Sequence, residues 1–150
     1  MLRSFLIILL FYPFILLADS LPRLLGEDQF GQPCAVDRAT SLLLLSHDKA
    51  SAHLAMEAIS RLWPRGDAPL QLVVDTREVP SWVMSWFMLP KLRRHNTPLC
   101  LDDQGRMTQA LAPGDGEVLL IELRRLVVER RRQFRDGETL GRALERLSSR

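Results

Sequence analysis

Leu42-Leu43-Leu44-Leu45-Ser46-His47-Asp48-Lys49-Ala50-Ser51 decides the fold of this chain, because an unbroken apolar run gives way to polar residues and then at once to a helical pattern. Four consecutive leucines suit a central strand covered on both faces. From Asp48, a good N-cap, the residues Leu54, Ala55, Ala58, Ile59 and Leu62 fall on one helix face, and Pro64 and Gly66 end the helix. Pro69 then introduces Leu70 to Val74, a second apolar strand stopped by Asp75-Thr76-Arg77. Strand, helix and strand in this length make a βαβ crossover, which is right-handed.

Working outward, Ser81 is read as the cap of a helix in which Trp82, Ser85, Trp86 and Leu89 share a face, closed by Pro90. Thr97 to Leu101 reads as a short strand, Asp102-Asp103-Gln104-Gly105 as a turn, and Met107 to Leu111 as a brief helical turn before Pro113 and Gly114. Val118 to Leu123 and Leu126 to Phe134 are strands joined tightly at Arg124-Arg125, an antiparallel hairpin. A last helix runs from about Gly137 to Leu147, with Leu140, Ala143, Leu144 and Leu147 as its apolar face. Toward the N-terminus, Pro22 sits in an irregular lead, Asp28 to Pro33 is turn-rich, and Cys34, Val36 and Arg38 suggest a short strand.

The chain starts with Met1-Leu2-Arg3, an apolar run from Phe5 to Leu17, and Ala18-Asp19-Ser20, a small-x-small pattern. This reads as a secretory signal peptide over 1–20 with cleavage near Ser20, followed by one domain over 21–150. The alternative is an uncleaved anchor, although the run falls short of the roughly 18 apolar residues of a spanning helix and Pro13 interrupts it. The expected location is therefore periplasmic or secreted. Net charge is +2, too small to imply nucleic acid. Charge is nevertheless uneven: Arg124, Arg125, Arg130, Arg131, Arg132 and Arg135 are accompanied by a single acid, Glu129. A solvated strand face is the simpler reading of this stripe, and an anionic partner the other.

Several segments carry a resemblance. Asp28-Gln29-Phe30-Gly31-Gln32 looks like the opening that precedes the first strands of peroxiredoxins and TlpA-like envelope proteins. Leu70 to Asp75 looks like their second core strand with its terminal Asp. Thr97-Pro98-Leu99-Cys100-Leu101-Asp102 with Gly105, and Val118 to Glu122, resemble two later segments of the same proteins. The whole order resembles the thioredoxin-like fold, an α/β three-layer sandwich with a central mixed β-sheet flanked by helices. In that family a redox cysteine stands at the strand-to-helix joint, which here corresponds to His47 to Ala50 and holds none; the family's cis-proline corresponds to a position near Glu117, where no proline stands. A thiolate is the nucleophile of that chemistry, so the resemblance implies a protein like the small periplasmic members that have lost the cysteines. The leading expectation is a non-catalytic binding or accessory module, redox-inactive at the usual site.

Two cysteines remain, Cys34 and Cys100, in a compartment where disulfides form. They show neither a Cys-x-x-Cys spacing nor a cluster with His that suggests zinc. Spacing leaves open whether they pair, because a bridge needs Cα atoms within about 7 Å. A thiol-disulfide oxidoreductase or peroxidase-like protein using Cys34, Cys100 or both is the first alternative function. Anion or anionic-lipid binding is the second, through Ser46 and Lys49 at the joint, where a helix N-terminus favours anions, or through Arg130 and Arg132. His47 and Lys49 are weak acid-base candidates, since consecutive Ser46-His47-Asp48 cannot converge as a hydrolase triad. No metal site and no cofactor is expected; Asp102 and Asp103 lack the further ligands of a calcium loop.

Trp82, Trp86 and Phe87 are read first as core. Yet Trp82, Val83, Met84, Trp86, Phe87 and Met88 wrap nearly the whole helix in apolar groups, and one face cannot bury them all. Together with Lys91, Arg93 and Arg94 they form the leading interaction site. It suits a protein partner in the cell envelope, with peripheral membrane contact as the other occupant.

Overall fold

A computed structural model describes residues 20–150; the expected signal peptide lies outside the described residues, apart from Ser20. Five strands form one mixed sheet: β3 (Leu42–Ser46), β4 (Gln71–Asp75), β5 (Leu99–Asp102), β6 (Val118–Arg124) and β7 (Val127–Phe134), in the order β5-β4-β3-β6-β7. β3, β4 and β5 run parallel, while β6 and β7 are antiparallel to their neighbours. A separate hairpin of β1 (Leu24–Glu27) and β2 (Pro33–Val36) lies against β5. The irregular lead of the sequence reading is thus a strand, too short to show a period.

The four leucines explain the centre of the sheet. Successive strand side chains point to opposite faces, so Leu44 enters one cluster with Ala55, Ile59, Leu140 and Leu144, while Leu43 and Leu45 enter another with Val36, Cys100, Met107 and Leu111. Helices α1 (Lys49–Leu62) and α5 (Gly137–Ser148) cover the first face; α4 (Arg106–Leu111) and the β1–β2 hairpin cover the second. This is the expected α/β three-layer arrangement. β6 and β7 turn through Arg125 and Leu126, both with positive φ, at 51° and 70°, a mirror-type turn matched to the strand twist.

Between β4 and β5 the chain is helical from α2 (Ser81–Val83) through a π-turn (Met84–Met88) into α3 (Leu89–Leu92). Ser81 does not cap it; Pro80 occupies that position and no side chain bonds the first turn. Pro90 does not end it either; it falls in the first turn of α3, directly after the π-turn, and the helical backbone continues through it. Only Leu92 of this segment is buried; Trp82, Trp86 and Phe87 are 62%, 78% and 57% exposed, against the expectation that they are core. The half-buried Val83, Met84, Met88 and Leu89 take the inward face, leaving the rings outside.

Cys34 and Cys100 are bonded, with 5.7 Å between their Cα atoms and a sequence separation of 66. The likeness to members that lack cysteines is therefore corrected: both cysteines are present and paired. The bond ties β2 to β5, and a second device reinforces it. The Gln29 amide, fully buried, donates to the Thr97 carbonyl and accepts from the Leu99 N–H, each at 2.9 Å, standing in for a strand neighbour of β5. Gly26 permits the close approach, since a Cβ there would lie 3.2 Å from the Leu101 carbonyl oxygen.

Candidate functional site

At the joint after β3, Asp48 has extended backbone and caps α1: its Oδ1 accepts the Ser51 N–H at 2.7 Å, and the Ser51 hydroxyl returns the contact to the Asp48 backbone. Its Oδ2 accepts the Gly116 N–H at 2.6 Å, which closes the joint against the loop preceding β6. Partial burial pushes the Asp48 carboxyl upward, but the bonds from Gly116 and Ser51, with His47 adding attraction, outweigh it and hold the group below its ordinary value. His47 lies between two carboxylates, with its Nε2 3.1 Å from Asp115 Oδ1 and 3.8 Å from Asp48 Oδ2.

His47, Asp48 and Asp115 are the group, among the described residues, whose ligating atoms come within 4.8 Å of one another. Both Asp48 oxygens already accept backbone N–H groups, so the cluster's evident work is to pin the joint to the loop. Asp115 was missed by the sequence reading, which took Pro113 to Gly116 only as a helix breaker; the signal was that this loop leads into a strand adjacent to β3. Glu117 stands at the expected cis-proline position and pairs with Arg135 at 2.6 Å. Lys49 is exposed on the first turn, whereas Ser46 is fully buried with its hydroxyl unpartnered, which removes it from any surface anion site.

The two cysteines sit elsewhere. Cys100 on β5 is fully buried, and Cys34 on β2 is half-buried at the surface of the second core cluster. Cys34 stands opposite Gly26 in the hairpin, and a Cβ on Gly26 would lie 3.6 Å from Cys100 Sγ and 3.9 Å from Cys34 Sγ. Gly26 thus lies beside both sulfurs.

The remaining candidates are separated. Arg130 and Arg132 flank Glu122 across β6 and β7 at 3.7 and 3.5 Å, and Arg132 also lies over the Phe134 ring at 5.8 Å, so much of their charge is engaged within the sheet. Lys91, Arg93 and Arg94 are exposed beside the aromatic segment, with the Arg93 Nε donating to the Gln29 carbonyl at 2.9 Å. A cavity of about 350 Å³ between α1 and the chain after α3 is lined by His53, Glu57, Trp63, Arg94 and His95. Within it the Ser60 hydroxyl is 3.4 Å from His95 Nδ1.

No family model and no curated protein matches the chain. Solved structures do. A peroxidoxin, BcpB, from Mycobacterium tuberculosis superposes with a TM-score of 0.55 at 15% identity, over 88% of this chain and 96% of that one. A putative protein disulfide isomerase from Bacteroides thetaiotaomicron gives 0.60 at 14% identity over 87% of each chain. An exposed lipoprotein thioredoxin from Streptococcus pneumoniae gives 0.58 at 12% identity, over 83% of this chain and 99% of that one. The likeness establishes a thioredoxin-like fold. It also bears on the leading functional expectation: the non-catalytic, redox-inactive module is overturned by the Cys34–Cys100 disulfide in a fold whose solved relatives include proteins named for thiol-disulfide chemistry. The finding favours the first alternative of the sequence reading, sulfur chemistry through Cys34 and Cys100, over its leading expectation, which had rested on the joint and on the position near Glu117.

Proposed function

We propose that this chain is a thiol-disulfide oxidoreductase of the cell envelope whose redox couple is Cys34–Cys100, displaced from the strand-to-helix joint to the contact between the hairpin and β5. The observation that carries this reading is the bond itself, joining the buried Cys100 to the half-buried Cys34 beside Gly26. An envelope location is supported by the apolar N-terminal run and by the exposed lipoprotein among the structural relatives.

The exchange balances as follows. A thiolate of the partner attacks Cys34 Sγ, on the less buried of the two cysteines; a mixed disulfide forms, the Cys34–Cys100 bond breaks, and Cys100 departs as a thiolate that takes up a proton. A second partner thiol resolves the mixed disulfide, so that two electrons and two protons enter the pair and the partner leaves as a disulfide. The same steps reversed let the dithiol reduce a partner disulfide. Gln29 ties the hairpin to β5 independently of the sulfurs, which favours keeping them within reach for reoxidation.

Insulin reduction in the presence of dithiothreitol, together with peroxide consumption, tests this on the purified protein beside a Cys34→Ser, Cys100→Ser double variant. Turnover above the uncatalysed rate that disappears in the variant is expected. Equal rates for the two proteins would remove the proposal.

A further inference from the structure

We infer that the ridge formed by Trp82, Trp86 and Phe87 is a docking surface for an anionic lipid bilayer, seated by Lys91, Arg93 and Arg94. The rings are 62%, 78% and 57% exposed, and Trp82 and Phe87 brace each other edge to face at 6.2 Å. Three large aromatic side chains on one short segment are far more apolar surface than scattered exposure explains.

Several properties of the ridge favour lipid over a protein partner. The three rings stand out from the surface at 62%, 78% and 57% exposure, and the cavities beside His95 and beside Leu42 include none of them. Beyond its first turn the backbone bonds within the helix, with the Met84 N–H donating to Pro80 and the Leu89 N–H to Met84. From Trp82 to Leu89 the side chains offer only Ser85 and the two indole N–H groups for hydrogen bonding. A protein interface of this size normally carries many more polar contacts, whereas indole rings with one apolar and one polar end suit the bilayer interface.

Charge points the same way. From Val79 to Leu101 there is no acidic residue, while Lys91, Arg93 and Arg94 are all exposed. Cations next to an apolar ridge are the pattern of interfacial segments that lie on a membrane without crossing it, with the basic groups held at anionic headgroups. No helix among the described residues is long and apolar enough to span a bilayer, so contact through this ridge is peripheral.

The test uses the full-length chain with vesicles of phosphatidylglycerol and phosphatidylcholine carrying brominated acyl chains, which quench tryptophan only on close contact. Trp82 and Trp86 are expected to be quenched, and a Trp82→Phe, Trp86→Phe variant, which retains Trp63 against the first core cluster, is expected to lose that quenching. Because the readout is local to the ridge, insertion of the N-terminal apolar run does not imitate it. In Lys91→Gln, Arg94→Gln, or in phosphatidylcholine alone, the ridge quenching falls by roughly half or more. Unquenched ridge tryptophans in the phosphatidylglycerol vesicles, as for a surface kept for a protein, overturn the inference. Equal quenching with and without anionic lipid, or in the charge-removed variant, overturns it as well.

Discussion

Reducing the Cys34–Cys100 bond, or replacing both cysteines by serine, releases a loop of 66 residues in the unfolded chain. In the loop-closure description this restores about 15 cal/mol/K of chain entropy to the unfolded state, a loss of stability of about 4 kcal/mol at 25 °C. With a urea slope of about 2 kcal/mol/M, the unfolding midpoint drops by about 2 M at unchanged slope. Native domains hold about 5 to 15 kcal/mol, so the dithiol form stays folded, as a redox couple requires. The same free energy enters the redox equilibrium: folding lowers the potential of the pair by about 90 mV relative to the same cysteines in the unfolded chain. Urea titrations followed by circular dichroism, on oxidised, dithiothreitol-reduced and double-serine protein, measure the first quantity; equilibration against glutathione in the presence and absence of denaturant measures the second. Midpoints within about 0.5 M of one another refute the reasoning, because the bond would then constrain little that the folded chain does not already constrain.

Three further outcomes follow from other parts of the fold. Gln29→Leu leaves the Thr97 carbonyl and the Leu99 N–H without their buried partner, a cost of about 3 kcal/mol readable by urea denaturation. Ala112 closes α4 in the left-handed region at φ 45° and is exposed, so Ala112→Gly should raise stability by about 0.5 to 1 kcal/mol and the melting temperature by a few degrees. Asp48 is held below its ordinary value in the folded state; its contribution is present above the unfolded carboxylate value and is lost as pH falls through the lower folded one, so Asp48→Asn should flatten the acid limb of a stability-against-pH curve.

Much of the fold was legible because hydrophobic period survives local accidents: Leu42 to Leu45, the α1 face, the β6–β7 hairpin and the α5 face all stand where their spacing places them. In the α2–α3 segment the apolar residues on every side of the helix signalled exposed surface, but the reading of Trp82, Trp86 and Phe87 as core failed, because a π-turn shifts the register on which a face is counted. The site was less legible. Nothing in the separation of Cys34 and Cys100 reports a Cα distance of 5.7 Å, and Asp115 reaches His47 only after the sheet has brought two distant loops together. Gln29 was quoted as part of a resemblance, but its role depends on two backbone groups beyond Asn96 that no local pattern connects to it.

The two flanks of the five-stranded sheet are guarded against foreign strands by different means. An unpaired outer strand is a template for strand addition and aggregation. β7 carries Glu129, Arg130, Arg131 and Arg132 along its outer course, and because arginine never loses its charge in this setting, that protection is permanent. β5 has no comparable charge; what shields it is the β1–β2 hairpin, bolted in place by Cys34–Cys100 and by Gln29. One of the two bolts is a bond that reductants open. The sheet therefore has one rim whose solubility is fixed by composition and one whose solubility depends on how firmly a glutamine side chain holds once the sulfurs part.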